Sequence, residues 1–282
     1  MTDATTDAPL TLMAVHAHPD DEATSTGGIL ARYSAEGVRT VLVTCTNGEL
    51  GDELGGVKPG DPGHDEAKTV ASRRAELGRS VAVLGVRHLE MLGFRDSGME
   101  GWESNNAPGA FSRLPVAEAA APLVALLQRY QPQVVVTYDE FGFYGHPDHI
   151  QANRITLFAL DAVGSSAKLY YPSIRRSRLP LFRERMAELG VEPPQIDESK
   201  FGVPDEMIGA SVDCRAFAAQ KRAALEEHAS QGDNLFFLRF PPESFSEVFG
   251  VEEFVRVRPP RSVGDAVEDD LFAGIREGVA RK

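Results

Sequence analysis

The sequence predicts an α/β fold: a mostly parallel, Rossmann-like sheet with helices on both faces and a smaller α+β subdomain at the C-terminal end. Two observations predict it. Short apolar runs bounded by turn residues alternate with longer stretches of helical period, the pattern of βαβ units. The run Val134-Val135-Val136 is apolar without alternation, as a strand covered on both faces requires.

In chain order the strands are expected at Leu10–Val15, Thr40–Thr44, Arg87–Leu92, Gln133–Thr137 and Lys168–Tyr171. Helices are expected between them, at Thr24–Ala35, Glu66–Leu84, Val116–Tyr130 and Pro147–Ala162. Two long loops interrupt the alternation. Asn47–Asp65 carries six glycines and two prolines, and Gly93–Pro115 carries the only tryptophan, Trp102. Each follows the C-terminal end of an expected strand, where open α/β sheets bind ligands. After Tyr171 prolines punctuate the chain. A helix over Leu181–Leu189, a second from an Asp213 N-cap to Ala229, a strand over Glu253–Val257 and one short helix after Arg258 are expected there. This divides the chain into a disordered tail (1–9), a catalytic layer (10–172) and a C-terminal cap (173–282).

Composition narrows the function classes. The 282 residues are 42% hydrophobic and 25% charged, ordinary for a globular chain near the upper size of one core. A net charge of −13 offers no basic face, which argues against nucleic acid and anionic membrane partners. No stretch approaches the ~20 apolar residues of a membrane span, and Met1–Pro9 has no signal-peptide character. Cys45 and Cys214 are too far apart in sequence for ligand spacing and read as buried thiols. The expectation is a soluble cytoplasmic protein; a homo-oligomer is left open.

The chemistry-bearing residues form two clusters. The first, His16-Ala17-His18-Pro19-Asp20-Asp21-Glu22, emerges from the first strand. A dinucleotide site would place a GxGxxG turn here, and Thr26-Gly27-Gly28 does not match it. The second, Gly145-His146-Pro147-Asp148-His149, follows the fourth strand. His18 and Asp21, like His146 and His149, are three apart across a proline. Imidazole nitrogen and carboxylate oxygen both suit zinc. Two histidines and one carboxylate leave an open coordination position, the mark of a catalytic zinc site rather than a structural one. Asp20 is free to serve as general base. One histidine of the second cluster is free for proton transfer, with Asp148 available to orient it. His16, alternating to the other face of the strand, stands aside, and Glu22 is a supporting carboxylate.

At these residues the chain resembles the PIG-L or LmbE-like zinc-dependent deacetylases, which act mostly on N-acetylglucosamine-containing molecules. The resemblance covers about residues 10 to 165 well and the remainder weakly, and its paired motifs are specific for the family but not for a substrate; the mycothiol-pathway deacetylases and amidases are one branch of it. It implies that His18, Asp21 and His149 bind zinc, although Fe2+ would also suit such a site. It implies Asp20 as general base, His146 as general acid or oxyanion stabiliser oriented by Asp148, and Tyr144 as a contact to the carbonyl oxygen. Arg73, Asp96 in Arg95-Asp96-Ser97-Gly98-Met99, and Glu49 match sugar-pocket positions. Lys221 and the His228-Ala229-Ser230-Gln231 segment echo the same branch; the helix there is read as packing, with no catalytic role for His228. The implied substrate is a small N-acetylated sugar conjugate. The alternatives are a mycothiol S-conjugate-type amidase, or a non-catalytic protein binding metal or sugar.

Overall fold

The structure is a computed structural model that describes residues 10–190, 202–232, 234–262 and 264–276. The expected disordered tail, residues 1–9, lies outside the described residues. In order the elements are β1 (Thr11–His16), α1 (Asp21–Ser25), α2 (Gly27–Ala35), β2 (Arg39–Thr46), α3 (Glu66–Leu84), β3 (His88–Phe94), α4 (Val116–Tyr130) and β4 (Val134–Val136). There follow α5 (Gly142–Gly145), α6 (Pro147–Ala162), β5 (Lys168–Ser173), α7 (Leu179–Glu188), β6 (Ala210–Asp213), α8 (Ala218–Glu227), α9 (Asn234–Leu238), α10 (Pro242–Phe249) and β7 (Val251–Arg258).

One seven-stranded sheet runs in the order β3-β2-β1-β4-β5-β7-β6. The first five positions are parallel, and β7 enters antiparallel between β5 and β6. The α/β, mostly parallel expectation holds. Residues read as a cap thus continue the sheet, and β5 runs through the expected boundary at 172. Side chains of alternate parity supply two cores. Leu12, Ala14, Leu42, Val134 and Val136 face Leu30, Leu77 and Leu225 of α2, α3 and α8. Met13, Val15, Val41, Val43 and Val135 face Leu123 and Ile155 of α4 and α6. This double burial is the physical reason for the unbroken apolar strands.

Helix ends follow local chemistry where the sequence carries it. The Asp65 carboxylate accepts from the amides of Ala67 (2.9 Å) and Lys68 (3.1 Å), and Gly85 closes α3 in the left-handed region (φ 70°). Other ends are set from afar. The helix expected over Thr24–Ala35 is broken at Thr26, whose φ of −139° separates α1 from α2. The freed amides of Gly28 and Ile29 donate to Glu252 at 2.7 and 2.9 Å. Glu252 also receives buried Lys221 at 2.7 Å. Asp213 is the last residue of β6 and not an N-cap: its carboxylate accepts the Arg215 amide at 3.0 Å, and a 3-10 turn (Arg215–Phe217) precedes α8. The short β6 and α9 lack the periodicity by which the sequence declares its longer elements; α10 carries apolar residues at helical spacing, Phe245, Val248 and Phe249, but over only eight residues. The short helix expected after Arg258 falls partly on residues 277–282, outside the described ones.

Cys45 and Cys214 are both buried and unpaired, and burial pushes both thiols up. No helix among the described residues is long and apolar enough to cross a membrane. Glu252→Ala should cost about 3–5 kcal/mol, because it strands buried Lys221 and uncaps α2. A urea unfolding midpoint unchanged from the parent would refute the pairing.

Candidate functional site

The sheet order reverses direction between β1 and β4, and the crevice outside the carboxyl ends of those strands is where both clusters meet. The first cluster leaves β1 and becomes the start of α1. The second leaves β4, makes a tight excursion through α5 and enters α6 with Pro147 as the first helical residue. In that excursion Asp139 Oδ1 accepts from the amides of Phe141 (3.1 Å) and Phe143 (2.8 Å). Gly142 stands at φ 66°, and a Cβ there would come within 2.9 Å of His149 Cβ. The close approach lets the Gly142 carbonyl accept from His149 Nδ1 at 3.2 Å. His149 Nε2 is thereby left as a lone-pair donor facing the crevice.

Three side chains form a triangle there. His149 Nε2 lies 3.3 Å from His18 Nδ1 and 3.6 Å from Asp21 Oδ1. His18 Nδ1 lies 3.4 Å from the other oxygen of that carboxylate, Asp21 Oδ2. Ligands that share a tetrahedral zinc at ~2.1 Å are themselves roughly 3.4 Å apart, so the separations from His149 Nε2 to His18 and to Asp21 suit one shared ion. Asp21 is steered by two hydrogen bonds to Oδ2, from the His18 amide (2.7 Å) and the Tyr138 hydroxyl (2.6 Å). These leave Oδ1 facing His149 Nε2. Tyr138 also accepts the Ala17 amide at 2.9 Å and stacks on His149, with ring centroids 4.1 Å apart.

Among the described residues, the groupings whose donor atoms all lie within 4.8 Å of one another are His18 with His146 and His149, and His18 with Asp96 and Asp148. In the second, one oxygen of each carboxylate is already in use. Asp148 Oδ2 accepts the Ser97 amide (2.8 Å), Asp96 Oδ1 accepts the Gly98 amide (2.8 Å), and they stand 3.3 and 3.7 Å from His18 Nε2. They form an acid clamp on the outer nitrogen of His18. Burial would lower the His18 pKa, but Asp96, Asp148 and Asp21 outweigh it and raise it well above the usual range. A site with this much acid around one imidazole favours a cation. Asp96 is held below the ordinary carboxylate range because His18 and the Gly98 amide outweigh its burial.

The expectation that Asp148 orients His146 through its carboxylate is corrected. That carboxylate serves His18, and it is the Asp148 backbone amide that donates to His146 Nδ1 at 3.1 Å. The helix cap dictates this, because His146 is the N-cap residue of α6. With Nδ1 accepting, the neutral imidazole carries its proton on Nε2. Burial, with His18 and His149 nearby, pulls the His146 pKa down to about 3.

Asp20 sits beside the triangle with its Oδ1 3.1 Å from Arg73 Nη2. Burial lifts its pKa to about 6, against the pull of Arg73. Its backbone is strained at φ 143°, ψ −23°. Arg73 lines the cavity as expected, but its guanidinium is occupied with the protein. It donates to the carbonyls of Pro19 (2.8 Å) and Gly48 (3.0 Å), and a Cβ on Gly48 would lie 2.6 Å from Nη1. Asp96 also lines the cavity. Glu49 does not: it is turned inward, its Oε2 accepting the Asp96 amide at 3.1 Å, so it shapes the loop rather than meeting a ligand. Tyr144 is 57% exposed at the cavity mouth, its ring centroid 5.1 Å from that of His149.

His16 stands aside as expected, between the hydroxyls of Thr26 (2.8 Å) and Tyr138 (3.3 Å). Glu22 is buried and joined to His228 at 2.7 Å. Sequence reasoning missed Tyr138; its place two residues after β4 was the only available signal.

The cavity is about 680 Å3. Its lining includes His18, Asp20, Asp21, His146 and His149; the C-terminal part of the chain adds an apolar group, Ile174, Leu179, Phe182, Phe236, Phe237 and Phe249, with Arg178, Lys221, Glu252 and Glu253 among them. Leu50, Met99 and Trp102 from the two long loops close a side of it.

Comparison with known proteins places the chain in a family. The PIG-L family, described as GlcNAc-PI de-N-acetylase, matches residues 13–160. The 1D-myo-inositol 2-acetamido-2-deoxy-alpha-D-glucopyranoside deacetylase of Geodermatophilus obscurus is 41% identical, over 94% of this chain and 97% of that protein. Among solved structures, the N,N'-diacetylchitobiose deacetylase of Pyrococcus horikoshii matches with a TM-score of 0.56 at 21% identity, covering 88% of this chain and 84% of that one. The 4-carboxy-2-hydroxymuconate hydratase of Pseudomonas putida matches with a TM-score of 0.60 at 16% identity, covering 91% and 100%. A deacetylase and a hydratase therefore share this fold, and the fold alone does not select between them. Sequence does: the chain belongs to the PIG-L family and is a hydrolytic N-deacetylase.

Proposed function

We propose that this chain removes the acetyl group from an N-acetylglucosaminyl-inositol-type conjugate, with zinc held by His18, Asp21 and His149. The observation that carries the metal assignment is His149 Nε2 standing 3.3 Å from His18 Nδ1 and 3.6 Å from Asp21 Oδ1. In the alternative grouping on His18 Nε2, the carboxylate oxygens nearest that nitrogen already accept the Ser97 and Gly98 amides. The identity of the sugar rests on the named substrate of the 41% identical relative. The chemistry of the donors suits zinc, with Fe2+ the closest competitor.

Zinc at this position supplies Lewis acidity to an amide carbonyl and acidifies water. The protein's own groups do the rest. The Asp20 carboxylate takes a proton from the attacking water, and its raised pKa lets it return that proton to the leaving nitrogen. His146, neutral and protonated on Nε2, donates a hydrogen bond to the oxygen that gains charge. This favours oxyanion stabilisation over general acid among its expected roles. Tyr144 at the mouth, beside His146 and His149, supports the same oxygen. Asp96 accepts from sugar hydroxyls, and Arg73 acts chiefly by fixing Asp20 and Gly48.

A second reading, an amidase for larger conjugates with the same chemistry, is favoured by one observation. The cavity wall of Phe182, Phe236, Phe237 and Phe249 is apolar, and a bare disaccharide-like substrate has nothing to place against it. Comparing N-acetylglucosaminyl-inositol with an S-alkyl or S-aryl mycothiol conjugate separates the two. Cleavage of the conjugate alone would overturn the first reading.

Asp20→Asn should retain zinc and lose about 100- to 10,000-fold in kcat, read as acetate release; near-parent kcat would remove Asp20 as base. Chelation should abolish turnover and zinc should restore it. His149→Ala should lower bound zinc measured by elemental analysis, and full zinc occupancy in that variant would discard the triangle.

A further inference from the structure

We propose that His228 is a positioning residue for the base, acting through Glu22. The inference rests on the reading of Asp20 as general base. It starts from the strain at Asp20, whose φ of 143° is a conformation that side-chain-bearing residues rarely adopt. Such a backbone is strained and persists only where its surroundings over-determine it. From the front, Arg73 of α3 grips the Pro19 carbonyl (2.8 Å) and Asp20 Oδ1 (3.1 Å). From behind, the Asp20 amide donates to Glu22 Oε2 at 3.0 Å.

The rear hold is only as firm as the Glu22 carboxylate. That group is 1% exposed, and a buried carboxylate keeps its place only when its oxygens are filled by donors. Two side chains fill Oε1. Ser80 of α3 donates its hydroxyl at 2.5 Å, and His228 Nε2 stands at 2.7 Å. His228 is the sole one of these partners that can carry charge, and it comes from 206 residues away. The turn that bears it is fixed to α3 in its own right. The Ser230 amide and hydroxyl both donate to Glu76, at 3.0 and 2.6 Å, and the Gln231 amide donates to the His228 carbonyl at 3.0 Å. Helix α3 thus braces Asp20 on both sides, through Arg73 directly and through Glu76, the 228–231 turn, His228 and Glu22 in sequence.

His228 is fully buried and does not line the cavity, so it touches neither substrate nor metal ligands. Its loss acts on the orientation of the base and not on binding. Without it, Glu22 has one fewer donor, its grip on the Asp20 amide weakens, and the strained turn relaxes. The helix was read from sequence as simple packing; the side chain at its end has this additional work.

The test compares His228→Leu with His228→Gln in the zinc-loaded protein. Leucine fills similar space without a donor. Glutamine places an amide nitrogen close to the position of Nε2 and restores the hydrogen bond to Glu22. His228→Leu should lose at least tenfold in kcat with KM and bound zinc within twofold of the parent, and His228→Gln should recover most of that loss. An unchanged kcat in His228→Leu, a loss of zinc or a rise in KM in step with kcat, or equal losses in both variants would each overturn the proposal. Should His228→Leu fail to fold, Ser80→Ala removes the other Oε1 donor. It should lower kcat several-fold at constant KM, and parent-like kcat there would overturn the proposal. Asp20→Asn separates the two levels: activity in that variant sinks the base itself, whereas a dead Asp20→Asn beside a normal His228→Leu sinks only the brace.

Discussion

The site depends on β1 and β4 lying side by side as parallel strands. Their register sets Leu12 opposite Val134 and Ala14 opposite Val136, so both chains leave the sheet at the same edge. Helices on successive crossovers turn opposite ways from this pair, to β2 on one side and β5 on the other. No connecting loop covers the gap between them, and the crevice is open for a ligand. β1 needs only two more residues to bring His18 over that gap, whereas β4 reaches it through the α5 excursion that carries the chain to His146 and His149. The meeting of His18 with His149 is local geometry imposed by a long-range pairing.

Charge balance is the second constraint. Asp21, Asp96 and Asp148 crowd around His18, with Asp20 and Glu22 beside them; Arg73 faces Asp20 and His228 faces Glu22. Carboxylates are gathered out of water at this density only when something repays their desolvation. Hydrogen bonds from backbone amides repay part of it, at Asp96, Asp148 and Asp21. A divalent cation between His18, Asp21 and His149 would repay the rest. Asp148 has one oxygen, Oδ1, buried without a partner, which shows how close to its limit the cluster is packed.

Much of this was legible in the sequence because it is local. His18 and Asp21, or His146 and His149, declare themselves by a three-residue spacing around a proline, and unbroken apolar strands declare a sheet buried on both faces. What was not legible comes from contacts that cross the chain. The break at Thr26 depends on Glu252, more than 220 residues later in the sequence. The orientation of Glu49 depends on the Asp96 amide, and the partner of Asp148 is an imidazole 130 residues earlier in the sequence. Polar residues such as these have several chemically reasonable partners, and only packing chooses among them. The short strand β6, four residues long, carries too few side chains to show a period at all.

The same distinction separates what the site does from what it acts on. The reacting groups stand on the ends of β1 and β4 and at the starts of α1 and α6, elements locked by two cores. Substrate choice falls to the remaining walls: Leu50, Met99 and Trp102 on the long loops, and the phenylalanines of α7, α9 and α10. A hydratase sharing this fold shows that the scaffold tolerates other chemistry. Conversely, a fixed set of donors tolerates other substrates when only the walls change. An acetamide needs a few ångströms of polar floor, whereas the rest of the molecule must match an apolar wall. That mismatch in polarity, and not the metal ligands, is where a change of substrate within this family would be written.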